Sequence, residues 1–171
     1  QKIEENQGVY WPCPDEAHPG SPRLFTDSFP TPSGRARFHA VRHAAPDEET
    51  DVDYPLFLTT GRVLAQYQSG AQTRRVAKLP QMSAEPRAEI HPRAASAYGL
   101  RDGETVNLVT RRGRATFKVK VTPCVREDTV FVPFHWGGEQ SVNRLTNAAL
   151  DPVSRMPEFK VCAVRVEKLE A

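Results

Sequence analysis

The sequence predicts a mainly β domain, a small closed barrel preceded by an extended arm. Three observations carry this expectation: period-2 alternation in several short segments after residue 54, one short helix bracketed by Pro92 and Gly99, and a proline-rich opening without sustained period. A length of 171 residues fits one domain plus a tail.

The arm comes first. Seven of the 15 prolines fall within the first 50 residues, in runs such as Trp11-Pro12-Cys13-Pro14 and His18-Pro19-Gly20-Ser21-Pro22. Such a segment runs extended and irregular. Tyr10, Trp11, Leu24, Phe25, Phe29 and Phe38 are too many apolar residues for a disordered linker, so the arm is expected to pack across another surface. Asp47 to Asp53 then place five acidic side chains in seven positions, expected to form a solvated spacer by repulsion. The expected division is therefore an arm with acidic linker over 1–53 and a barrel domain over 54–171.

The barrel elements follow in order. Pro55 to Thr60 is an apolar run stopped by Gly61, a buried strand ending in a turn. Pro92 suits a first helical position, three alanines lie between Arg93 and Tyr98, and Gly99 suits a left-handed stop, with His91 at the N-cap. Leu100 to Glu104 reads as a tight turn. Val106 and Leu108, then Ala115, Phe117, Val119 and Val121, alternate with polar residues on either side of Arg112-Gly113, which predicts a hairpin with one buried face. Thr129 to Pro133 and Val161 to Val166 supply two further strands, and mutual pairing of all edges gives a barrel.

Composition narrows the partners. Twenty-three basic against 21 acidic residues give a formal charge of +2, too small an excess to favour nucleic acid. No stretch is long and apolar enough to span a bilayer, and Gln1-Lys2-Ile3-Glu4-Glu5 lacks the layout of a secretory signal, so the chain reads as soluble, with no membrane partner. The missing initial Met gives the expectation of a processed or excised piece. Cys13, Cys124 and Cys162 are isolated and odd in number, which favours a reducing, cytoplasmic compartment over a disulfide framework. Cys162 alternates with Val164 and Val166, as a small buried hydrophobe would.

Standard catalytic layouts are scarce: there is no G-x-S-x-G, H-E-x-x-H, Walker loop or G-x-G-x-x-G. His91 reads as a helix boundary residue. Two long polar loops interrupt the β pattern instead, and such loops tend to be functional. The first, from Thr59 to Arg75, offers two glycines for close backbone approach, hydroxyls and three guanidiniums, suited to a phosphorylated heterocycle. It equally fits a solvated loop whose arginines maintain solubility. The second, from Val132 to Asn147, presents aromatic rings and an imidazole, then glycines and amides able to donate and accept at once. Phe134 and Trp136 also suit core plugs, and His135 a ligand, an acid or a packed polar residue. Met156-Pro157-Glu158-Phe159-Lys160 adds an aromatic and a cation before the last strand.

Together these segments resemble the molybdopterin-dinucleotide-binding C-terminal domain of molybdenum oxidoreductases of the dimethyl sulfoxide reductase family. The resemblance covers nearly the whole chain. It runs through Thr60-Gly61-Arg62, Thr73-Arg74, Glu89-Ile90-His91-Pro92, Leu100-Arg101-Asp102-Gly103-Glu104-Thr105-Val106, Phe134-His135-Trp136-Gly137, Asn143-Arg144-Leu145-Thr146 and Pro157-Glu158-Phe159-Lys160. In the arm, Gly8 to Pro14, His18 to Phe25 and Gly34 to Phe38 are similar to the segment preceding this domain in nitrate reductases, especially assimilatory ones, and to that of formate dehydrogenases. One departure stands out: the aromatic-His pair that often follows Thr-Gly-Arg reads Tyr67-Gln68 here.

The resemblance implies a double-psi β-barrel of the aspartate decarboxylase type, with short helices and an extended N-terminal arm. It implies closure over a bis(molybdopterin guanine dinucleotide) molybdenum cofactor. Carried over, Thr60, Gly61 and Arg62 meet the cofactor; Gln68, Ser69 and Thr73 hydrogen-bond along the same loop; His135, Trp136 and Asn143 line the pterin side; and Phe159 and Lys160 approach its polar edge or phosphate. The metal ligand and the iron–sulfur cluster of such enzymes are expected in other domains, since three cysteines cannot form a four-cysteine cluster. No catalytic or metal-ligating residue is therefore expected here, the partners are the remaining domains of the same polypeptide, and the fragment alone is expected to be inactive. Two other readings are a stand-alone barrel used for protein interaction and a small barrel enzyme of the aspartate decarboxylase type. The latter needs a self-processing Gly-Ser step that nothing here resembles.

Overall fold

The computed structural model describes residues 2–169; Gln1 of the opening segment and residues 170 and 171, the end of the expected barrel domain, lie outside the described residues. The chain divides into two compact units, Gln1–His43 and Ala44–Ala171. In the first, a single helical turn, α1 (Lys2–Glu5), is followed by irregular chain. Local polar contacts shape it: Lys2 Nζ donates to the Glu16 carbonyl at 2.9 Å and Ser21 Oγ to that of Pro12 at 2.8 Å. Phe25 and Phe29 stack with centroids 5.4 Å apart, while Trp11 and Phe38 are exposed.

The second unit is a barrel of six strands: β1 (Leu56–Gly61), β2 (Arg87–Ile90), β3 (Thr105–Thr110), β4 (Gly113–Val121), β5 (Thr129–Pro133) and β6 (Cys162–Lys168). Going round the closed barrel the order is β1-β5-β2-β4-β3-β6. β1 runs parallel to β5 and β2 parallel to β4, while every other neighbouring pair is antiparallel. The parallel pair β2–β4 is nested in sequence inside the parallel pair β1–β5, and because parallel neighbours cannot be joined by tight turns both pairs need crossover connections, as in a double-psi barrel. β4 shows why the alternation was readable: Ala115, Phe117 and Val119 are buried, whereas Arg114, Thr116, Lys118 and Lys120 face out. The inward residues Leu58, Ile90, Val106, Leu108, Phe117, Val130, Val132 and Val164 form the core, each large side chain contributing about 1.5–3 kcal/mol on burial.

Two short helices, α2 (Leu79–Met82) and α3 (Pro92–Ala97), flank β2 in sequence. α3 has the expected ends: His91 Nδ1 caps it by accepting the Arg93 N–H at 3.2 Å, and Gly99 stops it at φ +60°. Among the described residues no helix is long and apolar enough to cross a membrane.

Two expectations need revision. β2 is a full barrel strand, although the alternation gave it no place. The acidic run is also not a repulsive spacer. Glu48 pairs with Arg111 and Arg112 and Asp51 with Arg111, so basic side chains of the β3–β4 turn offset two of the run's five carboxylates and hold it on the barrel. Arg111 also lies over the Tyr54 ring, 4.6 Å from its centroid.

Candidate functional site

Topology brings the polar segments to one end of the barrel. Because β1 and β5 are parallel and in register, with Gly61 opposite Pro133, the loops that leave them emerge side by side. β6 runs antiparallel to β1, with Cys162 opposite Leu58, so the chain entering β6 arrives where β1 ends. Two contacts confirm this meeting. Thr60 Oγ1 donates to the Phe159 carbonyl at 2.9 Å, and Lys160 Nζ donates to the Thr60 carbonyl at 2.6 Å.

Phe134, just past β5, lies among cations: the Arg62 guanidinium is 5.4 Å and Lys160 Nζ 5.9 Å from its ring centroid, and Lys160 is also 5.3 Å from the Phe159 ring. Arg62 and Lys160 are exposed. Arg62 Nη2 reaches Gln68 Oε1 at 3.4 Å. An exposed pair of cations over an aromatic platform can accept an anionic group and stack a planar one.

His135 organises the first loop. It is buried, and both ring nitrogens are engaged: Nε2 accepts the Val63 N–H at 2.9 Å, and Nδ1 meets the Gln68 carbonyl. A carbonyl only accepts, so Nδ1 carries the proton and the imidazole is neutral. The His135 carbonyl in turn accepts from Arg74 Nη1, which also donates to Ser69 O at 2.8 Å. His135 thus pins the loop on the second residue after β1 and again at Gln68, which itself sits at φ +48°. No ring nitrogen is left over for a ligand in this arrangement.

Thr73 is likewise committed inside the loop, donating to Gln66 Oε1 at 2.6 Å and accepting from the Tyr67 N–H at 3.3 Å. The buried Gln66 donates onward to Ser83 O at 3.2 Å. The two glycines approach the protein's own atoms. A Cβ on Gly61 would lie 2.5 Å from the Phe131 ring, and one on Gly70, at φ +71°, would lie 3.1 Å from both the His135 carbonyl and Gln66 Oε1. Gln68 and Ser69 are exposed.

In the second loop Trp136 packs edge-on to His135 and is buried, yet its Nε1 has no hydrogen-bond partner among the described residues. Buried donors are nearly always paired, so an orphaned indole N–H marks a place where a partner belongs. Asn143 sits exposed on a short 3-10 turn, its carbonyl accepting from Thr146 Oγ1 at 3.4 Å, and among the described residues no hydrogen bond joins its side chain to another candidate. Buried Asn147 ties this loop to the third segment, donating to Val161 O at 2.8 Å and accepting the Ala149 N–H at 3.0 Å.

The structure therefore joins Thr60, Arg62, Gln68, Phe159 and Lys160 in one contact cluster, with His135 and Trp136 behind it. Gln66, Gly70, Arg74 and Asn147 hold the loops and were not singled out as site residues. Of these, Gly70 and Arg74 had a sequence signal as a glycine and a guanidinium of the first polar loop and Asn147 as an amide of the second, while Gln66 had none. Cys162 is buried, and burial pushes its thiol up to about 11, which suits packing rather than reactivity.

Comparison with known proteins agrees with this architecture. The model of the Molydopterin dinucleotide binding domain matches residues 56–163. The chain is 44% identical over 167 residues to the assimilatory nitrate reductase catalytic subunit of Bacillus subtilis (strain 168), covering 96% of this chain and 24% of that protein. It is 41% identical over 162 residues to a formate dehydrogenase subunit alpha of Methanococcus maripaludis, covering 95% and 24%. With the periplasmic nitrate reductase of Desulfovibrio desulfuricans it shares 33% identity over 183 residues, covering 98% and 24%. The chain thus spans about a quarter of the length of these curated relatives. Among solved structures, acetylene hydratase from Pelobacter acetylenicus superposes with a TM-score of 0.60 at 22% identity, over 68% of this chain and 19% of that one, a likeness of fold. On the matched residues and these relatives, the chain belongs to the molybdopterin dinucleotide-binding domains of dimethyl sulfoxide reductase family molybdoenzymes.

Proposed function

We propose that this chain is the cofactor-closing domain of a molybdenum nitrate reductase, gripping bis(molybdopterin guanine dinucleotide) with the rim at the end of β1 and β5. The observation that carries the reading is the convergence of three separate segments on Phe134, with Arg62 and Lys160 exposed beside it. The donor set fits such a group: cations for a diphosphate, mixed donors and acceptors for guanine and pterin edges, and an unpartnered buried indole N–H.

In this reading Arg62 and Lys160 meet phosphate or polar edge, with Phe159 beside them. Backbone groups of Thr60 and Gly61 approach the cofactor, and Gln68, Ser69 and Thr73 line the same loop, Thr73 mainly by shaping it. Trp136 and Asn143 face the pterin side, and His135 acts by holding the loop. When bound, the molybdenum centre supplies the two-electron redox chemistry of oxygen-atom transfer. The chain itself contributes binding and orientation, and the fragment alone is inactive. An iron–sulfur cluster and the metal's protein ligand belong to the remaining domains of the polypeptide, which are its partners; neither nucleic acid nor membrane is one. Free cysteines at 13, 124 and 162 support a cytoplasmic setting for nitrate assimilation.

The identity to the Bacillus subtilis nitrate reductase supports nitrate as substrate, and the similar identity to the formate dehydrogenase subunit supports a second reading. The full polypeptide, expressed with molybdenum supplied and then purified, separates them. Nitrate-dependent oxidation of a reduced dye is expected; activity with formate and none with nitrate would reassign the substrate. Absence of bound molybdenum would favour a stand-alone interaction module.

A further inference from the structure

We propose that Glu48 is a positioning residue for the cofactor rim: through Arg112 it sets the loop 138–147 that carries Asn143, an inference that rests on the proposed function of that loop. The relay is visible atom by atom. Arg112, in the turn between β3 and β4, donates from Nε at 3.3 Å and from Nη2 at 3.0 Å to the carbonyl of Leu145. Leu145 is fully buried and closes the 3-10 turn Val142–Arg144. The β-turn lies hard against this loop, since a Cβ on Gly113 would come within 3.0 Å of the Arg144 carbonyl.

The third arm of the same guanidinium, Nη1, lies 2.7 Å from the Glu48 carboxylate, whose side chain is only 10% exposed and which also pairs with Arg111. Arg111 has a second carboxylate, Asp51, and stacks on Tyr54. Two guanidiniums therefore share one shielded carboxylate, but only Arg112 reaches the rim loop.

Glu48 lies outside the residues that the family model matches, so the family pattern assigns it nothing. Its position has a physical consequence. Without the carboxylate, Arg112 is left part-buried without its counter-charge and is drawn toward water, and the Leu145 carbonyl loses both guanidinium donors and keeps the weak Cys162 Sγ contact at 3.6 Å. The 3-10 turn bearing Asn143 then loses its anchor.

The test uses the full polypeptide carrying Glu48→Ala, Glu48→Gln, Arg112→Lys or Asp51→Asn. Amide exchange is followed across residues 138–147, and molybdenum retention is followed through gel filtration. Glu48→Ala is expected to speed exchange in that loop by about tenfold or more and to lower retention several-fold, with Glu48→Gln intermediate. Arg112→Lys keeps the charge pair but lacks the fork that holds Leu145, so it reproduces the loop effect. Asp51→Asn, which removes one of the two carboxylates of Arg111 and leaves the Glu48–Arg112 pair in place, leaves both readouts within about twofold. Unchanged loop exchange in Glu48→Ala, or equal effects of Asp51→Asn and Glu48→Ala, overturns the proposal by reducing Glu48 to a tether. Faster exchange with undiminished retention overturns the role at the rim and the assignment of this loop to the cofactor, while the rest of the proposed function stands.

Discussion

An imidazole can serve a ligand only with an atom it has not already spent, and His135 has spent both nitrogens on the backbone of Val63 and Gln68. Its value lies in fixing where Arg62 and Gln68 are presented. His135→Phe keeps an aromatic ring in the buried site but leaves an N–H and a carbonyl unpaired. Each orphan costs about 1–3 kcal/mol, so the variant should unfold at clearly lower urea with an unchanged slope, and the full polypeptide should lose its cofactor faster. A variant of parental stability would show that the loop finds other partners and that the clamp is dispensable. The type of residue at 135 was legible in the sequence, but its role was not. Imidazole beside aromatic rings fits a ligand, an acid or a staple equally well, and only the hydrogen-bond partners, 67 and 72 positions away in the chain, separate them.

At the scale of elements, the 62–75 loop behaves as a small rigid body. Gly70 supplies the left-handed conformation, Arg74 crosses back to Ser69 and His135, and Thr73 closes onto Gln66. Gly70→Ala must hold an L side chain at φ +71° against the His135 carbonyl, a cost of about 1–2 kcal/mol from the backbone alone. Chemical denaturation should register that loss, and limited proteolysis should open between Leu64 and Arg75; an undamaged loop would show that it relaxes without strain. β4 and β5 could be read from sequence because alternation is a local property. β2 could not: it has four residues, Arg87-Ala88-Glu89-Ile90, of which only Ala88 and Ile90 are buried. The acidic run misled for the same reason. Repulsion among neighbours is local, whereas the guanidiniums that cancel it lie some sixty positions on, for example at 60 between Asp51 and Arg111.

Closure of the barrel gives every strand two partners, so the second unit has no free edge, and the carboxyls that respond to pH sit in the barrel's connections and in the acidic run before β1. Several of these carboxyls are held below the usual carboxylate range. For Glu48, burial alone would raise the value, but hydrogen bonds from Arg112 and Arg111 outweigh it. At Asp128, before β5, the hydrogen bond from Arg126 dominates; at Glu104, before β3, the Arg101 N–H; in the acidic run at Asp51, the Tyr54 N–H; and at Asp151, the Ser154 N–H. A carboxyl whose folded value is depressed adds stability that is fully present above its unfolded value and is lost as pH falls through the folded one. All five shifts share this sign, so their contributions disappear together on the acid side. The melting temperature of the barrel should therefore stay nearly level from pH 7 down to about 5 and fall steeply below about 4, where unfolded carboxyls take up protons. Glu48→Gln should start lower at neutral pH and fall less on acidification, because one titrating group has been removed. A parent whose melting temperature holds to pH 2.5, or a variant whose acid profile runs parallel to the parent's, would mean that the carboxylates of these turns and of the acidic run contribute nothing to keeping the barrel folded.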